Sequence, residues 1–317
     1  MGTTIVIGHL NPDTDNIAAT IGITALLRSE GKEAVPYKKG NLNNETDWVL
    51  EYSNFKDQIQ DLPNENLPEK QRVFLVDFNE TAQAPVDLSK IKLVGLVDHH
   101  KLAGNWQTEE PIIFRVEPVG SSCTIVAKMF WEKNIAVSSE LATLLLCGII
   151  SDTLNLSSPT TTEEDRQWVA ALAKQSGGNV NDLADKLFEA KSDLSAFTPA
   201  EVVKLDYKVF TFGTKRIGIG VVETVKPENV KKIEGDLKQV LSRMKKEENL
   251  DLAYLGIVDI LKKQTELLLI SDEEKTVAMK SFSDIVISGD NLVLRGIVSR
   301  KKQIVPAMEK VVKEING

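Results

Sequence analysis

The chain holds only three histidines in 317 residues, and each lies beside aspartate just past a short apolar run. His9 follows TTIVIG and opens HLNPDTD, which supplies Asp13 and Asp15; His99 and His100 follow IKLVGLV inside VDHHK. A third apolar run, RVFLVD, ends on Asp77, and the apolar helical pattern SSELATLLLCGIISD ends on Asp152. Neutral imidazole and carboxylate oxygen together are the donor set of a borderline divalent metal ion. In H-x-x-x-D-x-D the Asn11-Pro12 pair forces a turn, so three donors can converge within a few residues. A simpler reading makes Asp13 or Asp15 an N-cap and leaves His9 incidental. That reading accounts for any one of the three residues and poorly for all of them. Two adjacent histidines after a buried strand point in different directions. One can ligate metal while its neighbour meets substrate, with Asp98 orienting one of the rings.

A second constellation lies near the C-terminus, where Ser299-Arg300-Lys301-Lys302-Gln303 follows the apolar run NLVLRGIV. Helix starts favour anions, so clustered cations there are out of place. A phosphate held by a bidentate guanidinium and by ammonium charge would resolve the conflict. Lys208, at the start of KVFTF, is a candidate to join the set, and a solvated basic turn is the alternative. The hydroxyls and backbone N–H groups of TLNLSSPTTT, after Asp152, suit phosphate binding or loop packing equally.

These residues need elements to carry them. TTIVIGH, EAVPY, RVFLVD, IKLVGLVD and IIFRVEP read as strands, alternating in the first part with helical TDNIAATIGITALLRSEG and TDWVLEYSN. Continuous apolar runs separated by helices predict a mainly parallel sheet flanked by helices, with ligands at the carboxyl ends of its strands. Residues 121–190 read as four helices. After about residue 190 the pattern changes to KVFTFGTKRIGIGVVETV, a hairpin turning at Gly213, and one charged helix running from Pro227 to about Asn249. Strands DLAYLGIVDI, TELLLIS and NLVLRGIVS and a terminal helix IVPAMEKVVKEI follow. The expected architecture is α/β with two domains, 1–190 and 198–317, joined by a linker near 190–198. The smaller second domain should have a mixed sheet.

Composition sets outer bounds. A hydrophobic share of 42% with 26% charged residues is ordinary for a soluble protein. No signal-peptide pattern opens the chain, and LATLLLCGII is too short to span a bilayer. Cys123 and Cys147 read as buried free thiols, and a cytoplasmic location is expected. Residues 1–196 contain 17 Lys+Arg against 28 Asp+Glu, while residues 197–317 contain 21 against 18. An acidic chain argues against a broad nucleic-acid surface. An acidic metal-loaded half with a basic partner half suits a small, highly charged anion.

Together GHLNPDTD, VDFNE with Asp77, VDHHK, SDTLNLSSPTTT and SRKKQ resemble the manganese-dependent family II inorganic pyrophosphatases of the DHH phosphoesterase superfamily. The resemblance spans nearly the whole chain and leaves no room for a regulatory insertion. It departs at Phe78, where relatives often have a polar residue; strand alternation should turn Phe78 away from the metal side. The resemblance implies a DHH catalytic domain, a substrate-binding C-terminal domain and an active site between them. It further implies two Mn²⁺ per subunit, with Co²⁺ as an alternative, and additional Mg²⁺ arriving with pyrophosphate. One ion would take His9, Asp13 and Asp77; the other would take Asp15, Asp77, His99 and Asp152. A hydroxide bridging the ions would attack phosphorus. Lys208, Ser299, Arg300 and Lys301 would bind the phosphoryl groups, and His100 would hydrogen-bond or protonate the leaving group. A homodimer is implied as well, through an edge of the N-terminal sheet, with no nucleic-acid or membrane partner. The rivals are a short-chain exopolyphosphatase, an oligonucleotide phosphodiesterase of the same superfamily, and a non-catalytic metal or phosphate sensor. Phosphodiesterase relatives typically carry a GGGH element, which is absent here.

Overall fold

The computed structural model describes residues 2–62, 67–103 and 106–316, and the chain divides after Ala190 into two compact units. In the first, the apolar runs form β1 (Thr4–Ile7), β2 (Ala34–Lys38), β3 (Gln60–Asp61), β4 (Gln71–Val76), β5 (Ile91–Asp98) and β6 (Ile113–Val116). Its helices are α1 (Thr14–Ser29), α2 (Asn44–Tyr52), α3 (Ser122–Glu132), α4 (Ser139–Asp152), α5 (Glu163–Ser176) and α6 (Val180–Lys191). The strands make one sheet in the order β3-β2-β1-β4-β5-β6, parallel throughout. From β1 the chain steps to β2 on one side and later returns to β4 on the other. Such a reversal opens a crevice at the carboxyl ends of the two strands. His9 follows β1 and Asp77 follows β4 directly, so the switch point carries both.

Burial explains why these elements hold. Ile7, Val73, Leu75 and Leu96 form a core with Leu62, Val86 and Phe78, so Phe78 does turn into the apolar interior. Helix α1 packs on α3 and α4 and is buried nearly all round, from Asp15 and Asn16 through Ile17, Ala18, Ile21 and Ile23. A helix without a solvent face needs no polar stripe, which is why its sequence shows only a weak one.

The second unit comprises α7 (Pro199–Lys204), β7 (Tyr207–Phe212), β8 (Lys215–Thr224), α8 (Pro227–Lys231), α9 (Glu234–Glu247), β9 (Leu252–Asp259) and β10 (Gln264–Leu268). It closes with α10 (Asp272–Ser281), β11 (Ile285–Ser288), β12 (Asn291–Arg295), a π-helical turn (Arg300–Ile304) and α11 (Val305–Asn316). The sheet runs β11-β12-β10-β9-β8-β7 and is mixed, since only β8 and β9 are parallel. Alternation along β9 covers both faces: Leu252, Tyr254 and Val258 meet the α10 and α11 side, and Ala253, Leu255 and Ile257 meet α7 and α9. The single helix expected from Pro227 to Asn249 is in fact two. Ile233 leaves helical geometry at φ −111°, ψ 17°, and Gly235 just beyond lowers local helix propensity. Helices α7 and α10 and strand β11 were not foreseen. Among the described residues no helix is long and apolar enough to cross a membrane.

Candidate metal centre

Four segments converge at the carboxyl end of the parallel sheet. His9 Nε2 lies 3.8 Å from Asp13 Oδ2 and 3.4 Å from Asp77 Oδ2. His99 Nε2 lies 3.4 Å from Asp77 Oδ1, 3.2 Å from Asp152 Oδ2 and 3.9 Å from Asp15 Oδ2. Donor atoms of His9, Asp13 and Asp77 therefore form one group of metal-binding size, and those of Asp15, His99 and Asp152 form a second. Asp77 faces both histidines, one oxygen to each.

Tautomers prepare both rings as ligands. His9 Nδ1 is 2.8 Å from the Leu10 carbonyl, and His99 Nδ1 is 3.2 Å from the Val119 carbonyl. A carbonyl only accepts, so each Nδ1 must carry a hydrogen, and in the neutral ring each Nε2 is the nitrogen that keeps a lone pair. His99 Nε2 is buried and has no hydrogen-bond partner, although three carboxylates surround it. Such a buried, unsatisfied donor set fits a divalent cation with imidazole and carboxylate ligands.

The electrostatics point the same way. Burial, then the charges of Asp15, Asp13 and Asp152, pushes the Asp77 carboxyl well above its usual range. Burial and Asp15 raise Asp152 to about 6. On His99 burial disfavours the charged ring, but Asp152, Asp15 and Asp77 outweigh it and raise its pKa to about 10. Metal binding must therefore displace a proton from His99 across the neutral range and one from Asp152 below about 6. Mn²⁺ affinity is expected to fall about tenfold per pH unit for each proton displaced, more steeply below about pH 6. Calorimetric titrations with Mn²⁺ across the acid and neutral range check this. A pH-independent affinity would contradict it.

Local backbone features aim the carboxylates. Asp13 is indeed the N-cap of α1, since its Oδ1 accepts from Asn16 N at 3.0 Å, yet its Oδ2 remains turned to His9. Asp15 is fully buried and accepts from Ser122 N at 2.7 Å, Cys123 N at 3.0 Å and Ser121 Oγ at 2.5 Å. The amino end of α3 thus holds it. Asp77 sits at φ 66°, a strained position for a non-glycine residue, with Ser122 Oγ donating to its Oδ1 at 2.8 Å. Beyond Asp152, three consecutive left-handed residues, Leu154, Asn155 and Leu156, reverse the chain, the two leucines at about 1–2 kcal/mol each. Asn155 N donating to Ile150 O and Ser158 N donating to Thr153 O hold that turn, so TLNLSSPTTT is used for packing at its start.

His100 is placed differently. Its Nδ1 is 2.8 Å from Asp98 Oδ1, and Asp98 is buried and also accepts from Asn79 Nδ2 and the His100 N–H. Nδ1 lies 4.0 Å from Asp77, but its hydrogen is committed to Asp98, so it has no lone pair to give a metal. The His100 side chain is 56% exposed, which leaves Nε2 open. Asp98 thus orients His100 and not His99. Asn79, Ser121 and Ser122, which organise these carboxylates, went unnoticed in the sequence. Only the paired serines before an apolar helical run marked an N-cap there.

In the second unit, Ser299 caps the turn at Arg300–Ile304 by accepting from Lys302 N. Lys301 and Lys208 are exposed and make no ion pair among the described residues. Arg300 departs from expectation. Its guanidinium turns inward, donating to Asp206 Oδ1 at 2.6 Å, to Asp206 O and to Ile219 O. Only 9% exposed, it meets a carboxylate where a phosphate was anticipated, because the edge between β7 and β8 offers it carbonyls and Asp206. Lys208 is the cross-strand partner of Ile219, whose carbonyl Arg300 reaches.

Comparison with known proteins assigns both units to families. Residues 3–149 match the DHH family, N-terminal domain, and residues 185–311 match the DHHA2 domain. The molecule is therefore a DHH protein with a DHHA2 domain. The manganese-dependent inorganic pyrophosphatase of Bacillus subtilis is 38% identical over 310 residues, 98% of this chain and 99% of that protein. A probable manganese-dependent inorganic pyrophosphatase of Deinococcus radiodurans is 41% identical over 311 residues, 96% and 97% of the two chains. The crystal structure of a putative family II inorganic pyrophosphatase from Methanococcus jannaschii is similar with a TM-score of 0.61 at 33% identity, covering 99% of this chain and 100% of that one. The chain belongs to the family of manganese-dependent inorganic pyrophosphatases.

Proposed function

We propose that this chain hydrolyses inorganic pyrophosphate to two phosphates at a two-ion centre in its first unit. The observation that carries the proposal is the Asp77 carboxylate set between two Nε2-presenting histidines. His9, Asp13 and Asp77 are assigned to one ion, and Asp15, Asp77, His99 and Asp152 to the other. When bound, two divalent ions neutralise phosphoryl oxygens and lower the pKa of a water towards neutrality. Mn²⁺ suits the mixed imidazole and carboxylate donors, Co²⁺ satisfies the same set, and Mg²⁺ is assigned to the incoming substrate.

The remaining steps fall to side chains. His100, fixed through Nδ1 by Asp98, has Nε2 left to hydrogen-bond or protonate the departing phosphate. Lys208, Ser299 and Lys301 are assigned to the phosphoryl oxygens, whose charge exposed ammonium groups offset. For Arg300 the same role requires its guanidinium to exchange Asp206 for a phosphoryl oxygen. In this division of labour residues 1–190 carry the metals and residues 198–317 bind substrate. A homodimer is part of the proposal: β6 is an edge strand, and its Ile113 and Phe114 are 42% and 41% exposed. The buried free thiols of Cys123 and Cys147 suit a reducing cytoplasm.

Phosphate release from pyrophosphate, tripolyphosphate and a short oligonucleotide, in Mn²⁺ and after chelation, tests the assignment. Pyrophosphate should be hydrolysed fastest, and only with metal present. Cleavage of the oligonucleotide without cleavage of pyrophosphate would sink it.

A further inference from the structure

We infer that Asp165 is a positioning residue for the metal centre, acting through the Val119–Cys123 segment; the inference rests on the two-ion reading above. That segment touches most of the site. Val119 O receives the His99 Nδ1 hydrogen, Ser121 Oγ and the Ser122 and Cys123 N–H groups hold Asp15, and Ser122 Oγ holds Asp77. Asp165 fastens it from behind. Its Oδ2 accepts from Gly120 N at 2.9 Å and its Oδ1 accepts from Thr124 Oγ1 at 2.6 Å, so it grips residues on both sides of the serine pair.

A local role does not account for these contacts. Asp165 completes the capping box of α5 through Thr162 N and Oγ1, each at 2.7 Å. Capping α5 calls for nothing from Gly120 or Thr124. Asp165 is fully buried, with no cationic side chain paired to it among the described residues. Its charge is met by two N–H and two O–H donors, an arrangement a buried carboxylate keeps only when the geometry is tightly held. Gly120 is pressed between two parts of the site. A Cβ there would lie 2.8 Å from Asp165 Oδ2 and 2.7 Å from Thr153 Cγ2, and Thr153 directly follows Asp152. Displacing Asp165 would therefore loosen the segment that holds Asp15, Asp77 and His99, and Gly120 in that segment packs closely against the residue that follows Asp152.

The test separates positioning from plain stabilisation by measuring Mn²⁺ affinity calorimetrically on chelated protein, with thermal midpoints recorded alongside. Asp165→Ala and Thr124→Val should each weaken Mn²⁺ binding, the former by about 10–100-fold as supporting residues of metal ligands do. Thr162→Ala removes the cap of α5 and one of the four donors to Asp165 but leaves the Gly120 and Thr124 contacts in place, so it should lower the midpoint and leave Mn²⁺ affinity near wild type. Asp165→Asn should retain affinity, because its carbonyl can serve the three donors at Oδ2 while its amide donates to the Thr124 hydroxyl. Thr124→Val keeps the test decisive if Asp165→Ala does not fold. Wild-type Mn²⁺ affinity in folded Thr124→Val would overturn the positioning role alone. A wild-type chain that bound no Mn²⁺ would overturn the two-ion reading with it.

Discussion

Asp77→Asn is expected to weaken both ion positions together and to lower pyrophosphate hydrolysis in Mn²⁺ by about 10³-fold or more. Each Asp77 oxygen lies 3.4 Å from a different histidine Nε2, so no other carboxylate in the cluster serves both groups. Asparagine is the informative replacement. Asp77 has φ 66°, which asparagine tolerates better than alanine, so the backbone survives while the charge is lost. The Ser122 hydroxyl can still donate to an amide oxygen, which keeps the surrounding hydrogen bonds. Metal content after gel filtration and the rate of phosphate release provide the readouts. Full Mn²⁺ content at the wild-type rate would contradict the shared role of Asp77.

Lys301→Ala should show the opposite pattern, with metal content intact and kcat/KM for pyrophosphate reduced by about 10²-fold. Lys301 is exposed and unpaired among the described residues, so its removal leaves no buried charge and little change in stability. Arg300 is the instructive neighbour. Its guanidinium holds Asp206 and two backbone carbonyls, so Arg300→Ala combines any loss of phosphate binding with loosening of the β7–β8 edge. Lys301 is the cleaner probe for that reason. Metal loss equal to that of Asp77→Asn would contradict the assignment of metals and substrate to different units.

Much of this was legible in the sequence because the relevant signals are local. Val-, Ile- and Leu-rich runs announced the parallel sheet, and the site residues stand where those runs end, at His9, Asp77 and His99. The order β2-β1-β4 then supplied what spacing could not, a switch point between the strands that precede His9 and Asp77. What the local patterns left hidden shares a physical cause. Arg300 pairs with Asp206, and Asp165 with Gly120 and Thr124, across long stretches of chain that no local pattern connects. The division of α8 from α9 falls at Ile233, and Gly235 two residues on is too weak a signal by itself to predict the break. Likewise Asp98 could have oriented either neighbouring histidine, and only the fold selects His100.

Pyrophosphate hydrolysis by this chain should depend on two ions held by the carboxylate and imidazole cluster. Stepwise addition of Mn²⁺ to chelated protein, with bound metal and phosphate release from pyrophosphate measured in the same samples, tests it most directly. Activity should rise as the second equivalent per chain binds, and Asp77→Asn should weaken the binding and suppress the rise. Full pyrophosphate hydrolysis by metal-free protein, or two tightly bound ions with no hydrolysis, would contradict the account.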